Sequence, residues 1–253
     1  MAAASLADIV RHCDTTLRTS EIRDYDGAQN GLQVGNDGRV ARIVATVDAS
    51  LATVKKAVEA GADLLIVHHG LFWGATVPWT GKRRELLGLL VKSNLAVYSS
   101  HLPLDAHPKL GNNACLAAAL GLKKGMPFLV SKGQPIGLKF SGKWRRAELK
   151  QRLEKAVAGP VNLLPGGSEI IRTLGICTGG AGSELAQVAA GGVDSFITGE
   201  GPHWTFTLAE ELGVNAFYAG HYATETFGVK ALAAQLSRKF RVPWSFVDHP
   251  SGL

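Results

Sequence analysis

One order of elements occurs twice in this chain, and that recurrence limits the available folds more than any other feature. RIVATVD (42–48) is a β-branched, apolar run, as expected of a buried strand. Ser50 then caps a helical stretch, SLATVKKAVEA, with Leu51, Val54 and Val58 on one face, and Gly61 closes it. DLLIVHH (63–69) reads as a second buried strand, ELLGLLVKSN as a helix, and LAVYSSHLPLD (95–105) begins as a third strand. After Arg172 the order returns: TLGICTGG a strand, SELAQVAAGG a helix, DSFITGE (194–200) a strand, WTFTLAEELG a helix, and VNAFYAGHYATE a strand at its start. Asp63–His69 aligns with Asp194–Glu200, and Asn94–His101 with Val214–His221, with Tyr98 and Tyr218 at matching places. Such a pattern predicts an internal duplication of one α/β unit with a largely parallel sheet.

With 253 residues the chain is long enough to bury a core without disulfides. Its 46% apolar and 19% charged residues describe a globular protein, not a disordered one. Three segments are expected: a first α/β lobe over 1–125, a basic strand–helix–strand segment over 126–172, and a second α/β lobe over 173–253. Within the middle segment Lys143, Arg145, Arg146, Lys150 and Arg152 read as a solvated helix face. At the start, Ser5 and Asp8 predict a helix cap, with Leu6, Ile9, Val10, Cys13 and Leu17 on one face. Asn30–Gly35 reads as a turn leading into the first strand. The three scattered cysteines argue against a disulfide framework and for a reducing compartment. No membrane span and no secretory signal are read, so a cytoplasmic protein is expected.

Polar groups concentrate at the C-terminal ends of the expected strands, the edge at which open α/β sheets bind ligands. The first unit offers His68 and His69, then His101 and Asp105. The second offers Glu200, then His221 and Glu225. Each unit thus places an imidazole and a carboxylate four residues apart just past a strand. Neutral imidazole and carboxylate are ligands for divalent ions. Adjacent His68 and His69 point to opposite sides of a regular strand, so one ion suits both only if the strand ends between them. A two-metal centre with a bridging carboxylate resolves the difficulty and turns a shared water or hydroxide into a nucleophile.

Each residue also has a plainer reading. His12, His107, His203 and His249 are taken as structural or surface residues, and Asp105 and Glu225 fit helix caps as well as ligands. The chain has no G-x-S-x-G, Walker A, H-E-x-x-H or strict G-x-G-x-x-G pattern. Gly179-Gly180-Ala181-Gly182 reads as a tight turn rather than a phosphate loop. Phe72, Trp73 and Trp79 fit either a core or a lid.

In combination, AQNGLQVGN (28–36), VHHGLFWG (67–74), HLPLDAHPKLGNNACLAAALGL (101–122), TGEGPHW (198–204) and GHYATETFGVKALAAQL (220–236) closely resemble the Ngg-interacting-factor-three-like family. Its bacterial members are called GTP cyclohydrolase 1 type 2 homologues, or dinuclear metal-centre proteins. The resemblance implies two divalent ions per chain (Zn, Fe, Mn, Ni or Mg). It implies His69 and Asp105 on one ion, His68 and His221 on the other, and Glu225 bridging both, with His101 orienting a ligand or substrate. It also implies a homohexameric ring with its metal sites facing an internal cavity.

The expected fold is therefore α/β, with two similar lobes facing each other across a dinuclear metal site. The expected function is that of a metal-dependent hydrolase acting on a small nucleotide or phosphorylated substrate, with His101 and Glu200 as candidates for proton transfer or positioning. The alternative is a non-catalytic metal-binding scaffold or regulatory protein-interaction factor. A net charge of +6 leaves nucleic acid as a third, weaker partner class.

Overall fold

The computed structural model describes residues 3–74 and 77–252. Contacts divide the chain into two compact units, Met1–His107 with Gly228–His249, and Pro108–Phe227 with Pro250–Leu253.

The first unit is a five-stranded sheet. Its strands, in spatial order, are Trp244–Phe246, Ile43–Asp48, Leu64–His69, Ala96–Ser99 and Gly31–Val34. The first four are parallel and the last is antiparallel. The parallel run follows from the β-branched strands separated by helices Leu51–Glu59 and Gly81–Lys92. Helix Leu51–Glu59 starts in a capping box, with Ser50 and Thr53 each accepting from the other's backbone N–H. Gly61 takes a left-handed φ of 70° just past its end, which only glycine adopts at little cost. Val44, Leu65, Val67, Val97, Val54, Leu86 and Leu90 are packed into one core. Burial of each such side chain is worth about 1.5–3 kcal/mol. The N-terminal helix Leu6–Leu17 has Ser5 accepting from the Asp8 N–H and buries Leu6, Ile9, Cys13 and Leu17.

Gly31–Val34 is a strand, not the turn read from its sequence. Gly31 and Gly35 weaken the local strand signal; pairing at the sheet edge with the inner strand Ala96–Ser99 supplies what propensity lacks.

The second unit holds a six-stranded sheet, ordered Met126–Ser131, Gln134–Arg145, Ile170–Ile176, Ser195–Thr198, Asn215–Tyr218 and Asn162–Pro165. Its central three strands are parallel. The strands from 126–172 add to it antiparallel on both sides. Helix Arg146–Val157 inserts Leu149 and Leu153 into a core with Ile171, Leu174, Ile176, Ile197 and Phe217. Its outer face is solvated, with Arg152 exposed and Lys150 paired with Glu154, and Lys143 and Arg145 at the end of the preceding strand are exposed too. Arg146 differs, donating to Gly167 O (3.0 Å) and Asn215 Oδ1 (3.1 Å).

The duplicated unit is legible in backbone bonds. The Asp63 N–H donates to Arg42 O, and the Ala96 N–H donates to Asp63 O; likewise the Asp194 N–H donates to Thr173 O, and the Asn215 N–H to Asp194 O. Helix His221–Phe240 begins in the second unit and ends in the first. Among the described residues no helix is long and apolar enough to cross a membrane. The three cysteines are free thiols.

Candidate metal centre

Each parallel run ends in titratable side chains. In the first unit, strand Leu64–His69 carries His68 and His69 on its last two positions, and His101 lies two residues past strand Ala96–Ser99. His68 is fully buried; its Nδ1 donates to Ser100 O at 2.8 Å. A carbonyl only accepts, so the proton sits on Nδ1 and the ring's lone pair on Nε2. His69 Nδ1 donates to Asp48 Oδ1 at 2.8 Å, and His101 Nδ1 to Asp24 Oδ1 at 2.8 Å. The three imidazoles each bring a ring nitrogen to within 4.8 Å of the others. Asp105, on the short helix Leu102–Asp105, puts Oδ2 3.4 Å from His68 Nε2.

In the second unit His221 opens helix His221–Phe240, and Glu225 lies one turn on, with Oε2 3.2 Å from His221 Nε2. His221 Nδ1 lies 2.7 Å from Glu200 Oε1, at the end of the neighbouring strand. Burial works against a charge on His221, but Glu225 and Glu200 outweigh it and push its pKa up to about 9. Glu225 is buried and sits against Gly179, where a Cβ would lie 2.3 Å from Glu225 Oε1. Gly179, with φ 74°, thus serves both a tight turn and the close approach of a carboxylate.

Among the residues predicted from sequence, His68, His69, His101 and Asp105 come together in the first unit, and Glu200, His221 and Glu225 in the second. Glu200 stands behind His221 as its hydrogen-bond acceptor. His12 packs edge-on to Phe240, His249 lies 3.2 Å from Lys56, and His203 is exposed. Trp73 is half exposed and meets His101 edge-on at 4.8 Å, while Phe72 packs against Trp79.

Sequence reasoning missed Asp24, Asn30, Gln33 and Asp48. Asp48 carried a signal, being a carboxylate at the end of RIVATVD in register with His69. Gln33 supports the turn after His69: its Oε1 accepts from the Leu71 N–H at 2.6 Å, and its side chain fills the space a Cβ on Gly70 would need.

The donor chemistry fits divalent ions. Ligand atoms about 2.0–2.2 Å from one tetrahedral ion stand roughly 3.3–3.6 Å apart, close to the His221–Glu225 separation. An acceptor behind Nδ1 of every imidazole is the usual outer support of metal-binding histidines.

Duplicated α/β units with imidazole–carboxylate sets at their strand ends define a class of protein that presents hard and borderline donors. Residues 4–251 match the Duf34/NIF3 (NGG1p interacting factor 3) family, and the chain belongs to it. A Deinococcus radiodurans relative called GTP cyclohydrolase 1 type 2 homolog is 42% identical over 232 residues, covering 90% of this chain and 88% of that one. A relative of the same name from Halobacterium salinarum is 41% identical over 257 residues, 98% of this chain and 99% of that one. A crystal structure from Thermus thermophilus superposes with a TM-score of 0.91 at 40% identity, covering 99% of this chain and all of that one.

Proposed function

We propose that this protein is a metal-dependent hydrolase of the GTP cyclohydrolase 1 type 2-like kind, holding two divalent ions per chain. His68, His69 and Asp105 of the first unit and His221 and Glu225 of the second would supply the ligands. The observation that carries this reading is the matched state of the imidazoles. Each has its Nδ1 facing an acceptor, with His68 and His221 turning Nε2 toward a carboxylate.

Two such ions supply Lewis acidity and an activated water. The chain's own residues do the rest. Ser100 O, Asp48 and Glu200 hold the rings of His68, His69 and His221 in one orientation. Burial of His68 and Glu225 keeps competing water from their donor atoms. His101 stands beside this set as a proton-transfer or substrate-positioning group. The substrate class is a small nucleotide or phosphorylated molecule, in keeping with the name its relatives carry. The assembly is a homohexamer working in the cytoplasm; light scattering of the purified protein tests the first point.

Elemental analysis of purified protein should find up to two divalent ions per chain. Retention of both by a His68→Ala, His69→Ala double variant overturns the site. Turnover of metal-loaded protein, screened on nucleotides, phosphoesters and cyclic amides, should vanish in Glu225→Gln while the fold persists.

The family's description as an interacting factor favours a second reading, a metal-binding scaffold or regulatory partner of other proteins. That reading requires no turnover on any substrate of the panel and partner binding that survives Glu225→Gln.

A further inference from the structure

We infer that Asp24 and Asn30 are positioning residues that lock His101 by its ring and its backbone together. Both lie in the segment between helix Leu6–Leu17 and strand Gly31–Val34, far from His101 in sequence. Asp24 Oδ1 accepts from His101 Nδ1 at 2.8 Å and from the Tyr25 N–H at 2.7 Å. Its Oδ2 accepts from the Leu102 N–H at 3.0 Å and from Asn30 Nδ2 at 2.8 Å. Asn30 Oδ1 in turn accepts from the His101 N–H at 2.7 Å. Three of these bonds close a ring through His101, Asp24 and Asn30, and the N–H groups of Tyr25 and Leu102 anchor Asp24 within it.

Asp24 differs from the carboxylates behind the neighbouring imidazoles. Its side chain is 5% exposed, against 45% for Asp48 and 44% for Glu200. Burial opposes its charge, but the bonds from His101, Asn30 and the Tyr25 N–H hold its carboxyl below the ordinary range. A charged carboxylate, shielded from solvent, fixes the Nδ1–H tautomer of His101 more firmly than an exposed one. Asn30 sets the backbone from which the ring projects. Trp73 at 4.8 Å and Tyr25 at 5.8 Å brace the ring. The lone pair on Nε2 is thereby aimed from a preset ring, as a group that transfers a proton or orients a substrate requires. A carboxylate that merely closed its own loop would have no need to grip both the His101 ring and the Leu102 N–H.

The test is nitrogen-15 NMR of the histidine side chains in the full-length protein, prepared without metal. The wild type should show His101 as the Nδ1–H tautomer, with a proton slow to exchange. Asp24→Asn should shift His101 toward Nε2–H, because an amide donor there disfavours a proton on Nδ1. His68, held by the Ser100 carbonyl, should not move and serves as the internal control. An unchanged His101 tautomer in Asp24→Asn overturns the inference. If that variant does not fold, the wild type decides alone: His101 found as Nε2–H overturns it, and a protected Nδ1–H supports it. A second arm rests on the proposed hydrolase function. There, Asp24→Asn should lower kcat about 10- to 100-fold, with KM and metal content unchanged. Failure of that arm alone counts against the hydrolase reading, since the tautomer measurement needs neither metal nor substrate.

Discussion

Asp63 and Asp194 accept the same pair of bonds in the two units. Asp63 Oδ2 takes the N–H groups of Ala41 and Arg42, at 2.7 and 2.9 Å. Asp194 Oδ2 takes those of Arg172 and Thr173, at 2.8 and 3.0 Å. In both, the side chain just before one strand anchors the backbone of the chain beside it, ahead of strand Ile43–Asp48 in one unit and within strand Ile170–Ile176 in the other. Asp63→Ala and Asp194→Ala should each cost about 1–2 kcal/mol, because two backbone donors lose their acceptor. Urea denaturation checks this; a loss under about 0.5 kcal/mol in both variants speaks against the anchoring role.

His221 carries the pH dependence. Its pKa in the metal-free fold is pushed up to about 9, above the usual histidine value of 6.5. A raised pKa stabilises the fold fully below about pH 6.5, and that contribution disappears as pH rises through about 9. Stability of metal-free protein should therefore fall across that window, and the fall should shrink in Glu225→Gln. An equal pH profile for the two proteins is the contrary result.

The same proton opposes metal. An ion at His221 must displace it, so uptake should release a proton and tighten as pH rises toward 9. Calorimetry of metal binding in two buffers of different ionisation enthalpy reads the released proton directly. A buffer-independent heat contradicts the assignment of His221.

Gly179→Ala should be disproportionately harmful. The left-handed backbone disfavours any side chain by roughly 1–2 kcal/mol, and the new methyl would meet the Glu225 carboxylate. Both a lower Tm and a lower metal-to-protein ratio are expected. Gly192 is the control: it is also left-handed, but a methyl there would meet no heavy atom within 4 Å. Alanine at that position should cost stability and leave metal content intact.

Much of the architecture was legible from residues alone. Strands Ile43–Asp48 and Leu64–His69 announce themselves because a strand covered on both faces is apolar throughout. The repeated helices follow from their caps and apolar faces. Edge strands were harder. Gly31–Val34 lacks both alternation and β-branched density, and its partner, Ala96–Ser99, lies far along the chain.

For the site, the sequence by itself determined which donor types stand at the strand ends: His68, His69, His101 and Asp105 in one unit, Glu200, His221 and Glu225 in the other. Strand ends are places set by local pattern, so a polar residue there is visible without a fold. Only the tertiary structure decided what stands behind each imidazole: Ser100 O for His68, Asp48 for His69, Asp24 for His101 and Glu200 for His221. Those partners come from other strands and loops. A hydrogen bond between residues so far apart leaves no periodicity in the chain, because it depends on which strands pair and not on how any one of them is composed.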